Sequence, residues 1–322
     1  MRALLVGLCI VAALVWANNT RLFAPEPPDH PPRFIAHRGV HQTFAGGTPG
    51  PDTCTANPVA PIKHPYIENT LPSMRAAFAL GAEIVELDVH LTPDGVFAVF
   101  HDWTLECRTD GTGQTNKQDF ASLRALDVGH GYSVDGQNHP LRGKGIGLMP
   151  RLEEVFAAFP DRRFLINFKS DRQSEGRAMV DLLTDDPDRQ AQVFGVYGAP
   201  GPSQVVSAAF PSIRGFDRDT VSACLLRYAA LGWIGHVPPA CRNTVVIVPQ
   251  NVAPFLWGWP VRFQQRLDAA GTTIILAGSY RGGGGVRGID SRAALARVPD
   301  GFTGYVWTND LPALTGRRPA KE

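Results

Sequence analysis

Residues 82–102 read AEIVELDVHLTPDGVFAVFHD. Two runs that resemble strands, at 84–90 and 96–101, are separated by Thr-Pro-Asp-Gly, in which Pro and Gly occupy positions that a tight turn favours. Such a turn leaves no room for a crossover helix, so the two runs must form an antiparallel hairpin. Because side chains alternate along a strand, Glu86 and Asp88 share one face of the first run.

The rest of the chain alternates short apolar segments with segments of helix length. Eight strands are predicted at 33–37, 84–90, 164–169, 193–197, 213–216, 245–248, 273–277 and 304–307, with helices at 71–80, 152–159, 177–183, 223–230 and 261–270. This alternation indicates a parallel sheet. We predict an α/β fold, a (β/α)8 TIM barrel, with the hairpin and a cap insertion at about 90–150 after its second strand. An open, doubly wound sheet is the alternative.

The register of the hairpin predicts which polar side chains meet. If Pro and Asp are the two central residues of the turn, Glu86 lies opposite His101 and Asp88 lies opposite Val99. We therefore expect both carboxylates to lie level with His101 at the carboxyl end of the second barrel strand. Active sites of barrel enzymes lie at that end of the strands.

Composition excludes several classes of protein. The 322 residues are 44% hydrophobic and 19% charged, which is an ordinary globular composition. Lys and Arg number 31 against 30 acidic residues, and this balance argues against a nucleic-acid partner, which requires a basic face. The one long apolar run lies at the start of the chain, so a membrane protein with several spans is excluded.

Residues 1–17 are predicted to be a targeting segment. Arg2 precedes an apolar run shorter than the roughly 20 residues of a bilayer span, and residues 15–17 resemble a signal-peptide cleavage site. A cleaved signal peptide and an uncleaved N-terminal membrane anchor, which the bulky Trp16 favours, both stay open. Either one implies export to the periplasm or the cell exterior. Residues 18–32 are Pro-rich and are expected to form an extended tether before a barrel domain at 33–316.

Four cysteines lie outside the targeting segment: Cys54, Cys107, Cys224 and Cys241. An even number in an oxidising compartment indicates two disulfides, for which three pairings exist. We favour Cys54 with Cys107 and Cys224 with Cys241, because each bridge then stays within one region of the chain. Each would stabilise the fold by about 3 kcal/mol. Buried free thiols are the alternative.

Polar residues with catalytic chemistry lie at the end of the first predicted strand and within the second. His37, Arg38 and Gly39 end the first strand; an imidazole exchanges protons near neutral pH, and a guanidinium binds phosphate through paired hydrogen bonds. Two inward carboxylates, Glu86 and Asp88, on a strand buried on both faces require a cation or a proton. All-oxygen ligands select Mg²⁺ or Ca²⁺. Taken singly, each motif also fits a strand-end turn, a solvated strand face or a structural histidine.

An ordered series of motifs makes the functional interpretation specific. The series comprises HRG at 37–39, ENT at 68–70, GAEIVELDV at 81–89, TPDG at 92–95, HD at 101–102, MPRLEEV at 149–155, INFK at 166–169 and GYVWTND at 304–310. It resembles the glycerophosphodiester phosphodiesterase family closely over residues 33–170 and more loosely beyond them. The resemblance implies a barrel fold, a divalent metal and a pair of catalytic histidines.

The resemblance also implies a role for individual residues. The general base and the general acid would be His37 and His101, with the order of the two open. The ligands of Mg²⁺ or Ca²⁺ would lie at the positions of Glu86, Asp88 and Asn167. The residues at the substrate would be Arg38 on the phosphoryl oxygens, Lys169 as an added positive charge, and Glu68, which would order the site. Independently of the resemblance, Trp307 is a candidate pocket wall, with core packing as its alternative.

Asn167 departs from the family pattern, which usually has an acidic residue at this position. An amide oxygen still binds Mg²⁺ or Ca²⁺ but brings no charge. We therefore expect weaker metal binding or a different metal preference. The departure also keeps a divergent substrate under consideration.

The sequence as a whole predicts an exported, metal-dependent hydrolase that converts small-molecule glycerophosphodiesters to glycerol phosphate and an alcohol. The resemblance implies attack by the substrate's own hydroxyl and a cyclic phosphate. One alternative is phospholipase D-like hydrolysis of lysophospholipids at a membrane, to which the N-terminal segment would attach the protein. The other is a catalytically silent barrel that binds a phospho-ligand.

Overall fold

Eight parallel strands form a nearly closed barrel in the computed structural model, which describes residues 2–26, 28, 30–46, 53–282 and 285–317. The barrel strands are β1 (Arg33–His37), β2 (Ala82–Leu91), β4 (Arg163–Phe168), β5 (Val193–Gly198), β6 (Arg214–Phe216), β7 (Val245–Pro249), β8 (Thr273–Ala277) and β9 (Tyr305–Thr308); a ninth strand, β3 (Phe97–Val99), pairs with β2. Hydrogen bonds join them in the order β6-β5-β4-β2-β1-β9-β8-β7, with β3 antiparallel to β2. The seam lies between β6 and β7, so the predicted TIM barrel is confirmed.

Helices follow most of the strands, and most of them cover the outside of the barrel; α1 precedes the first strand and α3 lies in the insertion. They are α1 (Arg2–Asn19), α2 (Leu71–Ala79), α3 (Phe120–Ala125), α4 (Leu152–Ala158), α5 (Gln173–Leu183), α6 (Pro187–Gln192), α7 (Pro200–Ala209), α8 (Arg218–Leu231), α9 (Val261–Ala269), α10 (Arg292–Leu295) and α11 (Leu311–Thr315). The helices expected at the sequence positions above are present. The sequence did not predict α7, whose Pro-Gly-Pro start resembles a loop; proline is tolerated there because the first helical turn needs no backbone donor.

Local sequence explains where α2 begins. Thr70 is the N-cap, and its hydroxyl accepts a hydrogen bond from the backbone of Ser73. Proline in the first turn adds a preset backbone angle. The helix therefore starts at Leu71, separated by Thr70 alone from residues 68–69, which the fold places at the carboxyl end of the barrel.

Four apolar clusters hold the fold together. One fills the barrel interior and includes Ile35, Leu165 and Trp307. Two others pack the helices onto the outer faces of the two halves of the barrel. A fourth cluster joins the insertion, around Leu123, to the segment between β1 and α2, around Ala56. The insertion thus has a buried core, shared with that segment, above one side of the barrel mouth.

Both favoured disulfides are present. Cys54 bonds Cys107 across a separation of 53 residues, and Cys224 bonds Cys241 across 17. The first bridge joins the segment after β1 to the segment after β3, so it closes the insertion over the barrel mouth. Cys9 is free and exposed.

The predicted register of the hairpin is wrong by one residue. The structure pairs Val89 with Val99 and His90 with Ala98, so Glu86 does not face His101 and Asp88 does not face Val99. The cause is Gly95, which adopts a φ of 81° as an extra residue after the turn. A left-handed glycine at this place forms a bulge that lengthens the loop from two residues to three and shifts the pairing.

The expected extended tether at 18–32 is also corrected in part. Helix α1 continues to Asn19, and residues Arg21–Phe23 form a 3-10 turn. The carbonyl of Phe23 accepts a hydrogen bond from Arg262 at 2.6 Å, and that of Asn18 accepts one from Arg266 at 2.7 Å. Side chains of α9 therefore hold the first part of this segment against the barrel. Residues 27 and 29 lie outside the described residues.

We expect Gly95→Val to destabilise the protein by about 1–2 kcal/mol, because a β-branched residue is strained in the left-handed region. No atom lies within 4 Å of a Cβ built at this position, so the cost comes from the backbone alone. Gly95→Asn is the matched control and should cost less, since Asn tolerates that conformation. Urea unfolding of the three proteins measures the difference. Equal losses for Val and Asn would contradict the assigned bulge.

Candidate active site

The candidate site lies at the carboxyl ends of β1, β2, β4 and β5. In the parallel ladder His37 pairs with Glu86, Asp88 pairs with Asn167, and Asn167 pairs with Tyr197. The four strands thus bring these polar residues to two adjacent levels. The barrel closes around them, so the strand ends converge on one place.

His37 is held at the mouth by residues of β9 and the loop after it. Its Nδ1 lies 2.6 Å from Oδ1 of Asn309, and its ring centroid lies 5.0 Å from that of Trp307. Nε2 lies 3.7 Å from a carboxylate oxygen of Glu86. Burial, followed by the charge of Arg38, lowers the pKa of His37 well below its usual range. The imidazole is therefore neutral at neutral pH.

His101 follows β3, where the chain leaves the hairpin. Its Nδ1 lies 2.6 Å from Oδ1 of Asp102, which holds the ring through one nitrogen. Burial, followed by the charge of Arg38, lowers the pKa of His101 to about 4. The charges of Arg38 and Asp88 act on the pKa values of both histidines, so the two imidazoles share one charged neighbourhood.

Arg38 enters the site through a strained turn. Its φ is 58°, which is uncommon for a residue other than glycine and recurs at functional sites. The guanidinium forms ion pairs with Glu68 at 2.9 Å and with Asp88 at 3.2 Å. Asn69, with a φ of 57°, donates a hydrogen bond to Asp88 at 3.0 Å. Two left-handed residues thus direct polar side chains at one carboxylate.

Glu86 and Asp88 have no exposed surface, and their environments separate their pKa values. Burial and the neighbouring Asp88 raise the pKa of Glu86 to about 8. The pKa of Asp88 is held well below its usual range despite burial, with Lys169 providing the largest favourable charge. Glu86 accepts a hydrogen bond from the Tyr197 hydroxyl at 2.6 Å. The pair therefore keeps one carboxylate ionised and places a proton on the other at pH 7.

Asn167 and Lys169 both reach Asp88 from β4 and the residue that follows it. The amide nitrogen of Asn167 donates to Oδ1 of Asp88 at 2.9 Å, and Nζ of Lys169 lies 3.4 Å from the same oxygen. A side chain at position 198 would collide with the amide oxygen of Asn167, so Gly198 makes room for this arrangement. The structure brings Asn167 to the predicted place, with its amide turned toward Asp88.

The two buried carboxylates suit a divalent cation. Glu86 holds a proton at pH 7 because two like charges are buried together, and a cation would offset the same charges. The described residues contain no group of three or more His, Cys, Asp or Glu side chains arranged as a metal site. The oxygen donors that fit a cation are Glu86 and Asp88, with the uncharged Asn167 beside them.

The remaining sequence candidates lie around this centre. Glu68 is buried and ion-paired with Arg38. Trp307 is 1% exposed and contacts His37 from within the barrel, so it forms the floor of the site rather than an open wall. Its indole nitrogen has no hydrogen-bond partner among the described residues.

Sequence reasoning assigned no role to several residues that order the site. Asn309 holds His37 and is itself held by Asp290, whose Oδ2 accepts from the Asn309 side chain at 2.9 Å. Tyr197 reaches Glu86 from the end of β5. Tyr197 ends one predicted barrel strand, and Asn309 lies just after another. Because the ends of barrel strands meet at one mouth, this placement is the sequence signal that could have identified both residues.

Two cavities open at the mouth, and residues of 278–282 and 285–287 line both of them. One, of about 420 Å³, includes His37, Arg38, Glu68 and Asn309 in its wall. The other, of about 700 Å³, lies over the seam between β6 and β7, with a mainly apolar wall. It also touches Asn167 and Tyr197, so it is continuous with the edge of the charged centre.

The fold is a TIM barrel that carries two histidines, a guanidinium and two buried carboxylates at the carboxyl ends of its strands. A profile of the glycerophosphoryl diester phosphodiesterase family matches residues 37–198. The chain belongs to this family, which confirms the resemblance seen in the sequence.

Relatives of known name agree with this assignment. Glycerophosphodiester phosphodiesterase 1 of Bos taurus is 39% identical over 181 residues, and that of Homo sapiens is 29% identical over 183. Each alignment covers 55% of this chain and 50% of the relative. The glycerophosphodiester phosphodiesterase of Caldanaerobacter subterraneus is 35% identical over 104 residues, 32% of this chain and 39% of that one. The chain thus spans half or less of the curated relatives it matches.

Solved structures share the fold at low sequence identity. The glycerophosphoryl diester phosphodiesterase domain of a Mycobacterium tuberculosis protein superposes with a TM-score of 0.62 and 17% identity, covering 89% of this chain and 99% of that one. An Oleispira antarctica phosphodiesterase, solved in complex with the product sn-glycerol-3-phosphate, superposes with a TM-score of 0.54 and 20% identity, covering 88% and 96%. The barrel extends through the C-terminal half, where the sequence motifs are sparse.

Proposed function

We propose that this protein hydrolyses glycerophosphodiesters to glycerol phosphate and an alcohol by general acid–base catalysis. One observation carries the proposal: His37 and His101 are each held through Nδ1, and both lie within the influence of the same pair of charges, Arg38 and Asp88. Two oriented imidazoles are what the transfer of two protons at one phosphorus requires. The names of the relatives and the product bound to the Oleispira protein support this substrate class.

The reaction needs a base and an acid on opposite sides of phosphorus. One histidine removes the proton of the glycerol hydroxyl next to the phosphate, and that oxygen bonds to phosphorus as the bond to the alcohol breaks. The other histidine protonates the departing alcohol. The product of this step is a cyclic phosphate, which water then opens to glycerol phosphate. An attacking group within the same molecule gains from its proximity.

The protonation states are compatible with these roles once substrate is bound. Both imidazoles are neutral at pH 7 because burial lowers their pKa values. A phosphodiester anion beside them favours the imidazolium form, since an opposite charge raises the pKa of a histidine. Arg38 and Lys169 supply fixed positive charge at the same place and stabilise the growing charge on the phosphoryl oxygens.

We further propose that Glu86 and Asp88 hold a divalent cation, Mg²⁺ or Ca²⁺, with Asn167 as a weak neutral ligand. When bound, such a cation adds positive charge that stabilises the phosphoryl oxygens. The neighbouring protein groups already reduce the charge of Asp88, since Asn69, Asn167 and Lys169 all donate to it. We therefore propose weaker binding than a site with three carboxylates would show.

The organisation of the chain supports an exported protein. We propose residues 1–17 as a signal peptide or membrane anchor, 18–32 as a connecting segment and 33–316 as the barrel domain. Helix α1 is, by length and composition, the one described helix that could cross a membrane, and it has no buried residues. Two disulfides favour an oxidising compartment. If α1 is retained, it would attach the barrel to a membrane.

The apolar cavity favours a second candidate function, hydrolysis of lysophospholipids. Val221, Leu225, Leu226 and Ile247 contribute to its wall, and it meets the charged centre at Asn167. An acyl chain in this cavity would place the rest of the same molecule beside Asn167 and Tyr197, at the edge of the charged centre. Glycerophosphodiesters without an acyl chain would leave the cavity to water.

The first experiment is hydrolysis of glycerophosphocholine by the purified chain with Mg²⁺ or Ca²⁺. We expect release of choline, which His37→Ala and His101→Ala each lower by about 10²–10⁴-fold because each removes a proton-transfer group. A chelator should abolish it. His236→Ala is the matched control, since this histidine is exposed and lines neither cavity at the mouth, and it should retain full activity. A folded protein that turns over neither this substrate nor a lysophospholipid would be a silent phospho-ligand-binding barrel.

Cation binding should displace the proton from Glu86. With a pKa of about 8, Glu86 is mostly protonated at pH 7 and mostly ionised at pH 9. Titration calorimetry with Ca²⁺ in buffers of different ionisation enthalpy should therefore detect release of about one proton at pH 7 and almost none at pH 9. Binding tightens as pH rises, because the competing proton is lost. Glu86→Gln should release no proton at either pH. A proton count independent of pH would contradict a cation at Glu86.

Two leucines of α8 test the lysophospholipid candidate. Leu226 is 72% exposed and lines the apolar cavity, whereas Leu231 is 42% exposed and does not. We expect Leu226→Glu to lower kcat/KM for lysophosphatidylcholine by about tenfold, because an apolar contact with the acyl chain is lost. Hydrolysis of glycerophosphocholine should not change, and Leu231→Glu should affect neither substrate. Equal effects of the two variants on both substrates would exclude the cavity as an acyl site.

A further inference from the structure

Arg108 is a buried cation that the proposed chemistry does not use. It lies in the insertion, and its side chain is 1% exposed. Lysine and arginine are almost never fully buried unless paired, because removing a charge from water is costly. The groups that contact Arg108 therefore show which charges its guanidinium stabilises.

Those contacts link Arg108 to two carboxylates, Asp102 and Glu68. Nε of Arg108 lies 2.9 Å from Oδ2 of Asp102, and Nη1 lies 3.0 Å from Oε2 of Glu68. Nη1 also donates to the hydroxyl of Tyr132 at 2.8 Å, and Nη2 donates to that of Thr55. One guanidinium thus bridges two carboxylates through separate nitrogens.

Each of these carboxylates uses its other oxygen on a residue of the site. Oδ1 of Asp102 holds Nδ1 of His101 at 2.6 Å, and Oε1 of Glu68 holds Nη1 of Arg38 at 2.9 Å. The path His101–Asp102–Arg108–Glu68–Arg38 is therefore continuous. It connects a proposed proton-transfer group to a proposed phosphate-binding group through buried ion pairs.

The insertion fixes Arg108 from both directions. Thr55 and Arg108 each directly follow a cysteine of the Cys54–Cys107 bridge, whose Cα atoms lie 5.4 Å apart. The backbone carbonyl of Arg108 also accepts a hydrogen bond from Gly131 at 3.2 Å. The guanidinium therefore has a covalently braced backbone behind it, which favours a single position.

Charge explains why a cation is needed here. Without Arg108, the carboxylates of Asp102 and Glu68 would share a buried region. Asp102 would lose the cation that lies 2.9 Å from it, and Glu68 would keep Arg38 alone. A buried carboxylate without a partner moves toward another cation or takes up a proton. In either case Asp102 would no longer hold the imidazole of His101 in one orientation.

We propose that Arg108 is a positioning residue that sets His101 and Arg38 relative to each other through Asp102 and Glu68. The inference rests on the proposed hydrolase function, because His101 and Arg38 matter for turnover only there. Arg108 acts at a distance from the substrate, and the shared carboxylates carry its effect.

The experiment compares Arg108→Met, Arg108→Lys and a matched control, Arg124→Met, in the full chain. Arg124 lies in the same insertion and pairs with Glu154 at 2.6 Å, but its side chain is 41% exposed and outside the path. We expect Arg108→Met to lower kcat for glycerophosphocholine by about 100-fold, since misplacing a catalytic group by about 1 Å costs this much. Arg124→Met should keep wild-type kcat.

A double variant separates positioning from general loss of structure. In the His101→Ala background, Arg108→Met should lower kcat by much less than about 100-fold further, because the part of its effect that passes through His101 is already lost and only the part through Glu68 and Arg38 remains. Arg108→Lys should recover part of the activity, since it keeps the charge but not the planar fork. An independent further loss of about 100-fold in the double variant would overturn the proposal.

A spectroscopic readout makes this test independent of turnover. In proton–nitrogen NMR spectra, the Nδ1–H of His101 should give a hydrogen-bonded signal in the wild type and in Arg124→Met. We expect this signal to be lost or shifted in Arg108→Met. If Arg108→Met does not fold, Arg108→Lys is used for both measurements. Wild-type kcat together with an unchanged His101 signal in a folded Arg108 variant would overturn the proposal. An inactive wild type that still shows the signal change would contradict the proposed function and leave the positioning role supported.

Discussion

Glu86 and Asp88 place two carboxylates on one buried face of β2, and the surrounding structure offsets their charge. Four other segments contribute the groups that contact them: Arg38 after β1, Asn69 before α2, Asn167 and Lys169 on and after β4, and Tyr197 on β5. Burial of a charge is tolerated only when such partners are present. The charged pair therefore determines which side chains the neighbouring strands must present at the barrel mouth.

This requirement gives a physical reason for the strained backbone at the site. Arg38 and Asn69 both adopt left-handed backbone angles, and both direct a donor at Asp88. Strain of this kind costs about 1–3 kcal/mol at each residue. The hydrogen bonds and ion pairs to a buried carboxylate offset it, so the strain is confined to the place where the charges are.

The insertion extends the same principle beyond the barrel. It has an apolar core and a disulfide, and it places Arg108 between two further carboxylates, Asp102 and Glu68. Alternating positive and negative groups thus run from the cap into the barrel. A rigid cap holds His101, which no barrel strand carries, at a site that the strands otherwise form.

The alternation of apolar segments and the ordered motifs were sufficient for the barrel, the family and the residues gathered at its mouth. Three features were beyond sequence reasoning. The hairpin register depended on Gly95 entering the left-handed region, which adds one residue to the loop. The start of α7 looked like a loop because proline and glycine are usually helix breakers. Asn309 showed no role until the barrel closed and brought β9 beside β1.

The order of residues was sufficient to assign side chains to the two faces of each strand, because that periodicity is local. It therefore established that two carboxylates share one face, and that four cysteines could form bridges in an oxidising compartment. The packed structure was needed to show which groups meet those carboxylates, that Asn167 turns its amide toward Asp88, and that Arg108 lies between Asp102 and Glu68. These contacts join residues far apart in the chain, so they exist only once the barrel and its insertion have packed together.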